Sequence, residues 1–256
     1  MRNIIARQPL TQKRGNALFL VLLGVALFAA LSYTITRSSD TMSGDISDHH
    51  AGLLADEILL YAKQLERSVQ MILANGYSEQ DISFKHDDLA AAYDHGGPTG
   101  AEVFNISGGG MRYKPFPQAS SEGWLFTGSN YIPNIGGLNE FGSISSCSDS
   151  AIDTVRCLDL IAILQNIPLN LCLAINKKVG VANIDDGQSP PQDDKKSSFT
   201  PFPGQFGAGS IRNLADTNAA GFHLSGKKTG CFEGDEDDDG TDISGQYYFY
   251  HVLLAR

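Results

Sequence analysis

The sequence has few basic residues for its acidic content. Its 256 residues contain 19 Lys and Arg against 29 Asp and Glu, which gives a formal net charge of −10 at pH 7. A surface of that sign repels phosphate backbones and anionic lipid headgroups. The composition therefore excludes a general nucleic-acid-binding protein, and we expect no nucleic acid among the partners.

The sequence also lacks the short motifs of common catalytic sites. It contains no G-x-S-x-G elbow, no H-E-x-x-H zinc motif and no signature around a cysteine nucleophile. The glycine-rich stretch GQFGAGS, at residues 204–210, lacks the Lys-Ser/Thr pair of a phosphate-binding loop. We predict that the protein is not an enzyme and requires no cofactor.

Formal charge is absent from the 22 residues between Arg14 and Arg37. At 1.5 Å per residue this segment is long enough to cross a hydrocarbon core of about 30 Å. The basic residues before it are Arg2, Arg7, Lys13 and Arg14. Positive charge stays on the cytoplasmic side. The pattern predicts one membrane-spanning helix at 16–37, with the acidic remainder of the chain exported.

Two simpler interpretations of the apolar run remain open. A removable secretion signal would be cut after small residues, and Ala26, Ala29, Ala30 and Ser32 offer such a site. A signal anchor has the same beginning and is never cut.

The four cysteines all follow the apolar run and would lie in an oxidising compartment, where disulfides form. They are Cys147, Cys157, Cys172 and Cys231. Three connectivities are open, and we favour Cys147–Cys157 with Cys172–Cys231. No CxxC or His/Cys pair has the spacing of zinc ligands.

The start of the apolar run resembles the class III leader of type IV pilins and type II secretion pseudopilins. Lys13-Arg14-Gly15 is followed directly by an uninterrupted apolar stretch. The resemblance implies that prepilin peptidase cuts after Gly15, that Asn16 is the mature N-terminus, and that the apolar helix is retained and packs with those of other subunits. The implied packing residues are Leu18, Leu20, Leu22, Val25, Phe28 and Leu31.

Two positions depart from the family pattern. Asn16 stands where the mature chain usually begins with Phe or Met, and Leu20 replaces the usual glutamate at the fifth mature position. In the family that carboxylate pairs with a neighbour's amine inside the apolar core. Its absence here indicates a minor or tip subunit rather than an abundant shaft pilin.

An amphipathic helix is predicted after the span. Its apolar residues recur at steps of three, four and seven and share one face; they are Leu54, Ile58, Tyr61, Leu65, Val69, Ile72 and Leu73. Asn75-Gly76 is a suitable helix stop because glycine readily takes a positive φ.

The remaining chain reads as short strands between turns. Strands are predicted at 81–84, 102–106, 111–116, 124–127 and 247–254, with a hairpin turn at 108–110. A helix is predicted at 152–167; the pattern at 169–179 suits helix and strand equally, and 185–198 reads as a polar loop.

We therefore predict an α+β, pilin-like fold in which a long N-terminal helix, half membrane-spanning and half amphipathic, packs on a mainly antiparallel sheet. The predicted domains are a leader at 1–15, a transmembrane helix at 16–37, the amphipathic continuation at 38–76 and an exported α+β domain at 77–256.

One acidic cluster is a candidate calcium loop. Asp235, Asp237 and Asp239 before Gly240 match the D-x-D-x-D-G opening, and the candidate ligands are these three aspartates and Thr241. Gln246 occupies the position of the usual bidentate glutamate. A solvated acidic turn is the favoured alternative.

The predicted function is that of a minor structural or tip subunit of a type IV pilus or type II secretion pseudopilus. Its expected partners are other pilin or pseudopilin subunits, prepilin peptidase and the bacterial inner membrane. Its exported domain would be periplasmic or on a surface filament. The alternative is a signal-anchored envelope protein that does not polymerise.

Overall fold

The computed structural model describes residues 17–135, 157–192, 199–209, 211–214, 223–234 and 242–256. Within the N-terminal helix it describes side chains at 21–27 and from residue 49 onward. The chain forms two compact units, Met1–Ser47 and Asp48–Arg256.

The second unit contains a five-stranded sheet. Its strands are β1 (Trp124–Tyr131), β2 (Asp159–Ile167), β3 (Arg212–Asn213), β4 (Thr229–Glu233) and β5 (Tyr247–Leu254), in the order β3-β1-β2-β5-β4. All neighbours are antiparallel except the short parallel pair of β1 and β3. The sheet therefore has β2 and β5 at its centre, flanked by β1 and β4.

The α-helices are α1 (Ala17–Ala74) and α2 (Leu169–Val179). Single-turn 3-10 helices lie at Ala91–Tyr93, Thr99–Ala101 and Asp185–Gly187. In the second unit α1 buries the predicted stripe, from Leu54 to Ile72, against the sheet, while Leu73 is partly buried beside it. The helix ends where predicted: Gly76 has φ +91°, and the Tyr77 N–H donates to the Ile72 carbonyl at 3.4 Å. This is the left-handed closure that glycine allows.

Both faces of the sheet are buried. Leu160, Ala162 and Leu164 of β2 point into a cluster that includes α1 and α2. Ile161 and Ile163, between them, point into a second cluster on the opposite face. Alternate side chains of a strand point to opposite faces, so a strand covered on both sides needs apolar residues at nearly every position.

That double burial explains why the helix predicted at 152–167 is wrong. Residues 159–167 form the central strand β2, while 152–156 lie outside the described residues. A fully buried strand has no period-two alternation, so its pattern cannot be told from that of a buried helix. The ambiguous segment at 169–179 is helical, and its C-cap Gly180 has φ +72°.

The strands predicted at 124–127 and 247–254 are present as β1 and β5. Those predicted at 81–84, 102–106 and 111–116 are wrong, since these residues contribute only an isolated bridge between Ser83 and Glu102. Part of the outer edge of β1 is occupied by other groups. The Phe126 N–H donates to the Tyr93 hydroxyl at 2.8 Å, and its carbonyl accepts from the Phe202 N–H at 2.8 Å.

The predicted fold class is wrong as stated. It required a helix with an apolar half of membrane length, but no helix among the described residues is long and apolar enough to span a bilayer. The apolar side chains described at 21–27 cover about 10 Å of helix, a third of a hydrocarbon core. The helical residues are also divided between two compact units at Ser47 and Asp48. The sheet, moreover, carries a parallel edge pair and fewer strands from the region 77–123 than predicted.

Candidate functional site

An exposed apolar surface lies on α1 at residues 21–27. Every residue of this segment is exposed, and Val21, Leu22, Val25 and Leu27 are each 60–65% accessible. An alpha-helical segment that exposes large apolar side chains on all sides is stable only where lipid or other helices cover it. We call residues 21–27 the apolar collar.

Two of the six predicted packing residues, Leu22 and Val25, belong to the apolar collar. The side chains of Leu18, Leu20, Phe28 and Leu31 lie outside the described part of the chain, as do the predicted cleavage residues Gly15 and Asn16. Their roles stay predictions.

A buried polar cluster joins the second unit's part of α1 to the central strand β5. The His251 side chain is only 4% exposed; its Nε2 lies 3.1 Å from a Glu66 carboxylate oxygen and its Nδ1 lies 2.5 Å from the Thr229 hydroxyl. A neutral imidazole satisfies both contacts when Nε2–H donates to Glu66 and Nδ1 accepts from Thr229. The structure thus favours one tautomer of His251.

Burial is the main influence on the pKa of His251 and lowers it, against the opposing effect of the Glu66 carboxylate. Lys228 and Lys63 add to the lowering, and the Lys228 ammonium lies 3.7 Å from Glu66. Glu66 and Thr229 occupy the two ring nitrogens of His251, so neither nitrogen is open to a reacting group. Sequence reasoning placed His251 in a strand but missed Glu66, which lies 185 positions away.

Asp159, at the start of β2, is a second buried ionisable group. Its carboxylate accepts hydrogen bonds from the N–H groups of Ile132 at 3.0 Å and Arg256 at 3.1 Å. Burial raises the pKa of Asp159 to about 7, more than these two hydrogen bonds lower it. Asp159 therefore ties β2 to the ends of two neighbouring strands, β1 and β5.

A disulfide joins Cys172 in α2 to Cys231 in β4, the pair that the sequence analysis favoured, with 5.4 Å between their Cα atoms. Cys157 is also disulfide-bonded. Its predicted partner Cys147 lies outside the described residues.

The structure gives the aromatic residues around Trp124 a packing role. Trp124, Phe116, Phe126 and Tyr131 are all buried, and the Trp124 indole N–H donates to the Lys114 carbonyl at 3.1 Å. Phe126 stacks on Phe84 with 4.0 Å between ring centroids. These residues line the core and present no aromatic surface to a ligand.

Metal ligands are not assembled within the part of the chain that the structure describes, where no group of three or more His, Cys, Asp and Glu side chains has suitable geometry. The candidate calcium ligands Asp235, Asp237, Asp239 and Thr241 lie outside it. The His95 Nε2 lies 3.0 Å from the Ile82 carbonyl oxygen. The calcium site stays a prediction.

Comparison of the chain with protein-family models, with curated proteins and with solved structures finds no match in any of the three.

Proposed function

We propose that the chain is a minor structural or tip subunit of a type IV pilus or type II secretion pseudopilus, and that it assembles through packing of N-terminal apolar helices. The observation that carries this proposal is the apolar collar, which lies a few residues after Lys13-Arg14-Gly15. Burying exposed Leu and Val side chains is favourable, because transfer of apolar surface out of water contributes about 25 cal/mol of free energy per Å². Neighbouring helices or lipid would supply that cover.

In this proposal prepilin peptidase cuts after Gly15 and leaves Asn16 as the mature N-terminus. Residues 16–37 then hold the chain in the bacterial inner membrane, and the second unit is periplasmic or carried on a filament. The Cys172–Cys231 disulfide is consistent with such an oxidising location. The subunit performs no catalytic chemistry.

Leu20 is the reason for proposing a minor subunit. A carboxylate in an apolar helix bundle is tolerated only when it is paired. A chain with leucine at this position forms no such pair, so its register in a filament would depend on apolar packing alone. That role suits a position that occurs rarely, such as a tip.

The alternative is a signal-anchored envelope protein that does not polymerise. Asn16 and Leu20 favour it, because each replaces a residue that the leader-cleaved family usually has. The core of the second unit is complete without a partner helix, since the stripe from Leu54 to Ile72 is already buried.

Mass spectrometry of the N-terminal peptide from membrane-purified protein separates the two. We expect the chain to begin at Asn16, and a Gly15→Val variant to begin at Met1 or Arg2 because the cleavage site is lost. A wild-type chain that begins at Met1 or Arg2 contradicts subunit processing and supports the signal anchor. A start between residues 30 and 33 contradicts both and shows a removed secretion signal.

Assembly is tested separately with charged substitutions in the apolar collar. Leu22→Arg and Val25→Arg should remove the protein from sheared filament fractions, since a buried arginine without a partner is costly. Ile106→Arg is the matched control, because Ile106 is 93% exposed and lies outside α1. Equal filament content in all three variants would contradict assembly through the collar.

A further inference from the structure

An open groove of about 870 Å³ runs between α2 and the part of α1 in the second unit. Its volume lies within the usual range of ligand sites, roughly 300 to 1,000 Å³. It is lined by Gly52 of α1, by five residues of α2 from Asn170 to Lys178, and by Val181, Asn183 and Gly187 of the segment that follows α2.

The lining residues of α2 form one continuous face of that helix. Positions 170, 173, 174, 177 and 178 follow the i, i+3, i+4, i+7, i+8 spacing of a single helical face. Leu173 and Ala174 make its middle apolar, with an amide at one end and two ammonium groups at the other. Asn170 and Lys177 are separated by about 10 Å along the helix axis.

The walls of the groove are fixed before any ligand arrives. The Lys178 ammonium lies 2.9 Å from the Asp56 carboxylate and bridges the two helices. The Asn176 side chain bonds both the N–H and the carbonyl of Cys231, at 2.8 and 2.9 Å, next to the disulfide at Cys172. Because these walls are already ordered, binding avoids the part of the ordering cost that would fall on them.

The α1 side of the groove is open at Gly52. A Cβ atom placed on Gly52 would have no atom within 4 Å, so glycine leaves space there that a larger side chain would fill. Lys177 is exposed, and no carboxylate among the described residues forms an ion pair with it. A free ammonium at the end of an apolar channel matches an anion with an apolar tail.

We propose that this groove binds a short aliphatic carboxylate. The carboxylate pairs with Lys177, and the hydrocarbon chain lies over Ala174 and Leu173 toward Asn170. The inference does not depend on the proposed assembly function, because every residue in it belongs to the second unit.

The test is a ligand-observed NMR titration of the full-length protein with hexanoate, and with hexanamide as the uncharged control. For a ligand of this size we expect saturable hexanoate binding with a Kd on the order of 1 mM. Hexanamide should bind at least about ten times more weakly, because it forms no ion pair with Lys177.

Four variants locate the site. Gly52→Leu should abolish binding by filling the groove and should leave the melting temperature unchanged or higher, because leucine is the better helix former. Gly52→Ala should weaken binding less than Gly52→Leu. Lys177→Gln should weaken hexanoate binding about tenfold and leave hexanamide unaffected. Lys63→Gln, the same charge change on the exposed side of α1, is the matched control and should have no effect.

Three outcomes would overturn the proposal. The first is the absence of saturable hexanoate binding to the wild-type protein up to about ten times the expected Kd. The second is binding that Gly52→Leu leaves unchanged, which would place the ligand elsewhere. The third is failure of hexanoate while an acidic peptide binds in a Gly52-dependent way, which would make the groove a protein-docking surface.

Discussion

At the scale of single residues, the buried ionisable groups have the clearest measurable consequences. Asp159 and His251 are both almost fully inaccessible, and each has a hydrogen-bond partner at both polar atoms of its side chain. Buried groups of this kind couple folding to protonation, because their pKa values differ between the folded and unfolded chain.

Asp159 should make stability fall as pH rises toward neutrality. Its folded pKa of about 7 lies above the ordinary value of 3.8, so the folded state holds the proton more tightly. The stabilisation is complete below the unfolded pKa and is lost as pH rises through about 7. From pH 5 to pH 8 the free energy of unfolding of the wild type should fall by about 2 to 3 kcal/mol relative to that of Asp159→Asn. Urea unfolding, monitored by the fluorescence of Trp124, measures this difference.

Asp87→Asn is the control for this comparison, since Asp87 is exposed and its removal should leave the pH dependence of wild type intact. A free-energy difference between wild type and Asp159→Asn that does not change with pH would contradict the proposed protonation of Asp159.

Glu66 should stabilise the protein through its hydrogen bond to His251. Glu66→Ala leaves the buried Nε2–H without an acceptor and should cost about 1 to 3 kcal/mol in the free energy of unfolding. Glu66→Gln keeps a carbonyl acceptor and should cost less. The loss of the nearby negative charge in Glu66→Gln should also lower the pKa of His251 further. Urea unfolding measures the free energies, and NMR titration of the imidazole measures the pKa of His251. Equal losses of stability in Glu66→Ala and Glu66→Gln, or a raised pKa of His251 in Glu66→Gln, would contradict the proposed hydrogen bond between Glu66 and His251.

Sequence reasoning did not identify the hydrogen-bond partners of Asp159 or of His251. His251 and Glu66 are 185 positions apart, and Asp159 meets Arg256 across 97 positions. No local spacing connects such residues, because they meet only through strand register and helix docking. A buried histidine within an apolar strand was the only local signal that a polar partner had to exist.

At the scale of elements, the second unit's part of α1 is defined by a stripe of buried residues and by its glycine stop. Both follow from local rules: a 3.6-residue period sets the buried face, and a positive φ after the last turn closes the helix. The predicted stop at Asn75-Gly76 was therefore correct to the residue. The buried hydroxyl of Ser68 on the same helix has no hydrogen-bond partner among the residues that the structure describes.

Two glycines of the α1 region should respond to alanine in opposite directions. Gly76 has φ +91° and Gly52 lies within the helix, and neither has an atom within 4 Å of an added Cβ. Gly76→Ala should therefore destabilise by about 1 to 2 kcal/mol, because of backbone conformation alone. Gly52→Ala should stabilise by about 0.5 to 1 kcal/mol through helix propensity. Thermal unfolding compares the two, and a shift of the same sign in both would contradict this explanation.

The central strand β2 shows where pattern reasoning fails at this scale. Its side chains are buried on both faces, so the sequence LIAIL carries no alternation that distinguishes it from a helix. In the segment 81–116 the error was the opposite one, because strands were predicted where the structure has none. Its aromatic and branched residues suit strands, but they fold as loops and two single-turn 3-10 helices around the Phe84 and Phe126 stack.

At the scale of the whole molecule, the Cys172–Cys231 disulfide links residues 59 positions apart and joins α2 to the sheet. Closing a loop of this length restricts the unfolded chain. The loss of this bond should therefore cost about 4 kcal/mol on the loop-entropy estimate.

The double variant Cys172→Ala/Cys231→Ala tests that estimate by urea unfolding with Trp124 fluorescence. Its midpoint should fall toward that of the reduced wild-type protein. A variant as stable as the oxidised wild type would show that native packing, rather than the cross-link, holds α2 in place.

The sequence by itself determined the face and end of the amphipathic helix, the strands β1 and β5, and the apolar run with its basic flank, whereas the Cys172–Cys231 pair was one of three open connectivities until the structure placed the two residues together. Each depends on spacing within a short window or on a residue type with one dominant preference. Tertiary structure alone decided that 159–167 is a strand, that 169–179 is a helix, and which groups surround His251 and Asp159. Those outcomes depend on contacts between distant segments, and burial on every side removes the periodicity that would have revealed them.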